Sequence, residues 1–124
     1  MNRFFISFVL AIVFTATSLF AHHGTAISYD EEAVPISVKG TVAEFAFRNP
    51  HVTIRIDAMN ENGEVVRWNF EHSPPRALAQ EGYTARTLQP GQEVTVVAFP
   101  SRAGNPVGLV VHVILADGTE ILPR

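Results

Sequence analysis

Cysteine is absent from the 124 residues. That excludes disulfide staples, thiolate nucleophiles and thiolate metal sites, so any metal chemistry must draw on His, Asp or Glu. Lysine is almost absent as well: Lys39 stands alone, and the formal net charge is −3. The balance is the wrong sign for nucleic acid, whose recognition rests on clustered Lys and Arg, and for an anionic membrane surface. Internal repeats and low-complexity segments are lacking. No Gly-x-Ser-x-Gly elbow, zincin motif, phosphate loop or dinucleotide fingerprint occurs. Glu71 and His51 offer an acid and a base, but nothing supplies a nucleophile or an oxyanion site, so the chain is expected not to be an enzyme.

A long apolar run occurs at the N-terminus. Arg3 supplies a positive start, Phe4 to Phe14 is interrupted only by Ser7, and Thr15-Ala16-Thr17-Ser18 leads to Leu19-Phe20-Ala21. This is the pattern of a cleavable signal peptide over residues 1–21, with cleavage after Ala21. The alternative is an uncleaved anchor, for which the run is borderline against roughly 30 Å of hydrocarbon. No Cys follows the run, so a lipidated cysteine is excluded. Cleavage implies a periplasmic or secreted protein with no stable membrane insertion. The remaining chain, with a net charge of about −4 once Arg3 is lost, suffices for one domain with one core.

Residues 22–35 read as a flexible or surface-lying arm with an acidic patch at Asp30-Glu31-Glu32, followed by a domain over 36–124. Ile36, Val38, Gly40 and Val42 alternate with polar residues, and the phase then flips at Phe45 and Phe47, which predicts a bulge near Ala43-Glu44. Asn49-Pro50 ends this strand. A second strand spans His51 to Asp57, with Val52, Ile54 and Ile56 on one face. Asn60-Glu61-Asn62-Gly63 marks a hairpin, with Gly63 in the left-handed position. The third strand, Val65 to Glu71, is expected to bury Val66, Trp68 and Phe70. Ser73 as N-cap and Pro74 at the first position open a short helix that stops before Gly82. Strands at Glu93 to Phe99 and Gly108 to Leu115 and a short tail strand at Glu120 to Leu122 complete the chain. The order predicts a mainly β fold: a small five-stranded OB-fold-like barrel with one short helix between strands 3 and 4. Another small sandwich or roll is the alternative.

Several segments carry a resemblance: Ala21-His22-His23, Lys39-Gly40-Thr41-Val42, Asn49-Pro50-His51, Trp68 with Phe70-Glu71, Leu88-x-Pro90-Gly91-x-x-Val94, and Ala116-Asp117-Gly118. Together they resemble the uncharacterised exported bacterial proteins grouped as domain of unknown function 6152. The resemblance implies export and a shared fold but no activity. Gly82-Tyr83 stands where those proteins often have Gly-Trp, a change that keeps an aromatic ring.

Two constellations carry candidate chemistry. Cleavage after Ala21 would free the α-amine of His22, which with its own Nδ1 can chelate a metal, and His23 offers a second imidazole. Amine and imidazole nitrogens suit Cu(II), and His51 is the first place to look for a third. Paired histidines in a solvated tail are the plain alternative. The second constellation is the polar face of strands two and three. Pairing outward from the Gly63 loop sets Asp57 opposite Arg67, Arg55 opposite Asn69 and Thr53 opposite Glu71, with Glu71 diagonal to both His51 and Arg55. His51, Thr53, Arg55, Arg67, Asn69 and Glu71 then form a face able to bind a polar ligand. The plain alternative is an exposed salt-bridge ladder, whose pairs stabilise by only about 0–1 kcal/mol. Asn49-Pro50-His51 could equally build a turn, with His51 bonded to backbone. His72, His112 and Trp68 read as structural. The expected function is a non-catalytic exported binding module for an unknown periplasmic protein or small ligand, or alternatively a copper-binding protein using His22, His23 and His51.

Overall fold

The computed structural model describes residues 28–121; the expected signal peptide, His22 and His23 lie outside them. From Ile36 to Ile121 the described residues form, in order, β1 (Ile36–Ala46), β2 (Thr53–Met59), β3 (Val65–Glu71), α1 (Pro75–Gln80), β4 (Glu93–Pro100), β5 (Val107–Leu115) and β6 (Glu120–Ile121). The sheet order is β3-β2-β1-β4-β5-β6, and a parallel β3–β5 pairing closes the first five strands into a barrel of the OB-fold kind.

The first strand makes this closure possible. Its first half pairs with β4, Ile36 opposite Ala98 through Thr41 opposite Glu93, and its second half pairs with β2. The expected bulge is present: Val42 faces Ile56 and Glu44 faces Arg55, leaving Ala43 unpaired between them. One extra residue flips the side chains that follow and bends the strand, so one chain segment serves both layers. Gly40 is needed where the layers meet, because a Cβ there would lie 2.5 Å from the Asp57 carbonyl oxygen. At the closing seam, Gly108 sits opposite Phe70, and a Cβ would press to 3.1 Å from its ring.

Inward-facing residues form the main core: Val42, Ile54, Ile56, Phe70, Leu88, Val94, Val96, Ala98 and Val113. Burying each large aliphatic side chain stabilises by about 1.5–3 kcal/mol. The β2–β3 register agrees with the expected one at every pair, because the Gly63 turn (φ +78°) sets it locally. Burial on β3 is narrower than expected. Phe70 is fully buried, whereas Val66 and Trp68 are only partly so, since the barrel opens towards that end.

A single helix turn and a half plugs the other end. Leu78 of α1 is fully buried and packs with Val52 and Tyr83 in a second cluster. The helix begins differently from the sequence expectation. Pro74 is the N-cap, Pro75 opens the helix, and Ser73 makes no capping bond. The Ser73 carbonyl instead accepts from Val52 N at 3.2 Å, which holds the residue in the sheet margin. At the helix end the Tyr83 and Gly82 amides donate to the Leu78 and Ala79 carbonyls, and Gly82 takes φ +92°. This is a Schellman stop built on glycine's freedom at positive φ.

Regular pairing in β2 starts at Thr53 rather than His51. Val52 still bonds the end of β3, but accepts from His72 N and donates to Ser73 O, a slip that ends the ladder. The Asn49-Pro50 peptide is cis. Among the described residues no helix is long and apolar enough to cross a membrane.

Candidate functional site

The polar face of β2 and β3 divides into two parts. Near the Gly63 hairpin, Arg67 makes a two-pronged bond to Asp57, Nε to Oδ1 and Nη2 to Oδ2, both 2.8 Å. That pairing holds the Asp57 carboxyl below its ordinary pKa. Arg55 bonds Glu44, and Arg48 lies 3.8 Å from the other oxygen of the same carboxylate. Arg55 therefore does not converge on Glu71. The bulge at Ala43 turns Glu44 onto the outer face directly opposite Arg55, nearer than the diagonal position of Glu71. The Asn69 amide oxygen is buried without a partner among the described residues, and the Asn69 backbone N–H donates to the Pro106 carbonyl at the closing seam. Thr53 sits opposite Glu71 and makes no side-chain bond that enters the cluster described next.

At the α1 end of the same face, three residues from distant parts of the chain meet. His51 Nδ1 lies 3.3 Å from Glu71 Oε1. The Tyr29 hydroxyl donates to Glu71 Oε2 at 3.1 Å. Tyr29 is only 8% exposed, and its phenol is pushed up to about 12, by burial first and then by the Glu71 charge and hydrogen bond. His51 thus faces a carboxylate rather than backbone.

Tyr29 reaches this place because the arm is strapped to the barrel. It bridges Ser101, Asp30 N donates to the Pro100 carbonyl, and Arg102 N donates to the Ser28 carbonyl. The Arg102 guanidinium returns the contact, donating to the Tyr29 carbonyl at 3.1 Å and lying 3.4 Å from Asp30. Between arm and β4–β5 loop runs a groove of about 360 Å³, lined by Ser28, Tyr29, Ser101, Arg102, Asn105 and Val107. From residue 28 onward, then, the arm lies on the surface and is fastened there.

Tyr29 and Glu44 are the residues that sequence reasoning missed. Glu44 carried a usable signal, since the expected bulge already moves it to the outer face. Tyr29 carried none, being one aromatic residue in an irregular polar stretch.

The other two described histidines, His72 and His112, are placed structurally. His72 is buried, its ring edge-on to Tyr83 with centroids 5.5 Å apart, and burial pushes its pKa down to about 4. His112 is half-buried and 3.8 Å from Glu120. Among the described residues no three side chains of the metal-binding types are grouped to hold an ion. A metal at His51 would need donors from outside them, such as His22 and His23.

The chain belongs to the family of unknown function DUF6152, whose model matches residues 10–111. No curated protein matches it significantly.

Proposed function

We propose that this member of DUF6152 is an exported, non-catalytic binding module whose site is the Tyr29–Glu71–His51 cluster together with the adjoining groove. The observation that supports this reading most is the shared carboxylate. Glu71 joins a buried phenol on the arm to a half-exposed imidazole on the barrel. The charges nearer the hairpin are already answered within the protein and offer a ligand little. Export rests on the leader of residues 1–21.

A second reading is favoured by one observation: the carboxylate stands on the Nδ1 side of His51. A proton held there leaves the Nε2 lone pair outward, the arrangement in which a carboxylate orients a metal-ligating imidazole. The strapped arm adds reach. His23 precedes Tyr29 by six residues, a span of at most about 20 Å. His22, His23 and His51 would then bind Cu(II), with the liberated amine of His22 as a further nitrogen donor.

Both readings are tested on the processed protein, after mass spectrometry has established a start at His22. Wild type, His51→Ala and Arg67→Ala are used to retain ligands from an envelope extract. The binding-module reading expects a species held by wild type and Arg67→Ala and lost with His51→Ala. Retention indifferent to His51 refutes it. Calorimetric Cu(II) titration then compares the native N-terminus with one extended by glycine. Strong weakening by the extension and by His51→Ala is the copper outcome. Equal weak binding by all forms refutes it.

A further inference from the structure

We infer that the barrel end opposite α1 is a separate binding site for a small amphiphilic cation, seated against Trp68. The opening follows from the topology. The β1–β2 ladder runs no further than Thr41 opposite Asp57, and residues 36–40 of β1 belong with β4. Beyond Asp57 the two strands diverge, and a groove of about 460 Å³ enters the barrel between them. Val38, Ala58, Met59, Val66 and Trp68 line it. Met59, at the edge of the groove, is 67% exposed, so apolar surface reaches the rim. The α1 end is filled by Leu78, whereas here the partly buried Val38 and Trp68 pack on the core and leave the groove beside them.

The rim chooses the charge. Lys39 Nζ lies 3.0 Å from Glu93, so the one ammonium at the groove already has a carboxylate. Asn60 is committed to the hairpin: its side-chain oxygen accepts from the Asn62 and Glu64 amides, and its Nδ2 donates to Glu64. Glu61 lines the groove and has no ion-pair partner among the described residues. The charge left for a ligand is negative.

The aromatic wall agrees with that sign. Trp68 stacks nearly parallel on Phe70, with centroids 5.6 Å apart, which fixes the indole plane. A cation near an indole face is attracted by its quadrupole, more so than by other aromatic rings. An apolar body would lie along Val38, Ala58, Met59 and Val66, with its cationic head between Trp68 and Glu61. Concave, mostly apolar walls with few polar groups are the usual make-up of small-molecule sites, and barrel mouths are one of their usual places.

Trp68 is the sole tryptophan, so its emission reports on the groove directly. The mature protein is titrated with decyltrimethylammonium below its micelle concentration, and in parallel with decyl sulfate. Saturable change in Trp68 emission with the cation, weakened about fivefold or more by Glu61→Gln, is expected. Amide chemical shifts should move at residues 37–39, 58–61 and 66–68. No saturable change, equal affinity for the sulfate, or shifts spread evenly over the sheet would each overturn the assignment. The shift map stands even if a variant folds poorly, because it uses the wild-type chain.

Discussion

The two ends of the β2–β3 sheet use similar polar residues and reach opposite results. Towards the hairpin, Asp57, Arg67, Arg55 and Glu44 lie in the open, each answered by an opposite charge across the sheet. Water and salt screen such pairs, so they keep the surface soluble and stabilise little. Towards α1, the arm and the helix turn cover what the sheet presents. Glu71 serves a buried phenol there, and His72, one residue on, is buried with no partner for its Nε2 among the described residues. Coverage, rather than residue type, decides which polar groups matter to the fold.

That contrast can be broken most directly with acid. The His72 pKa is about 4 in the folded protein against 6.5 as the ordinary value, and its cause is burial. Between those values the unfolded chain holds more protons, so stability is complete above about pH 6.5 and falls as pH drops towards 4. The loss should be on the order of a few kcal/mol. His72→Phe should lack this acid limb in thermal melts across that window. If wild type and variant lose stability in parallel, the covered end is no more governed by burial than the exposed one.

The next effect concerns the carboxylate that joins arm to barrel. Glu71→Ala strands the buried Tyr29 hydroxyl and should cost about 1–3 kcal/mol by denaturant unfolding. The arm should also become cleavable near residues 28–30 under limited proteolysis. Tyr29 has an alkaline signature of its own. With its phenol raised from 10.0 to about 12, its contribution is full below pH 10 and is lost as pH rises through 12. Glu71→Ala with an unchanged melt would show that the arm is held by Arg102 and backbone contacts alone.

The smallest effect sharpens the contrast from the other side. Arg67→Ala, Asp57→Ala and the double variant should all melt together with wild type at physiological salt, despite the two-pronged geometry. A coupling visible in that double-mutant cycle would mean that the exposed pair is more than surface charge matching.

Much of the fold was legible in the chain. Period-two alternation marked the strands, the phase slip between Val42 and Phe45 marked the bulge, and Asn62-Gly63 set the β2–β3 register. The helix was placed correctly but not its first residue, because two adjacent prolines suit the start equally and only the sheet margin engages Ser73. Of the candidate ligand face, His51 and Glu71 do come together, while Arg55 and Arg67 are held elsewhere. Trp68 shares a face with Phe70 as expected, yet sits at an opening that strand pattern does not reveal.

By itself the sequence determined the strands, the turn that pairs β2 with β3, the bend in β1 and the helix stop at Gly82. Each of these follows from neighbours within a few residues, through side-chain periodicity and allowed backbone angles. Only the closed barrel decided that Tyr29 meets Glu71, that Glu44 claims Arg55, that His72 is denied water and that the groove beside Trp68 stays open. Those outcomes depend on where β1 leaves β2 for β4 and where β3 meets β5. Such positions are set by packing between segments far apart in the chain, which no local pattern encodes.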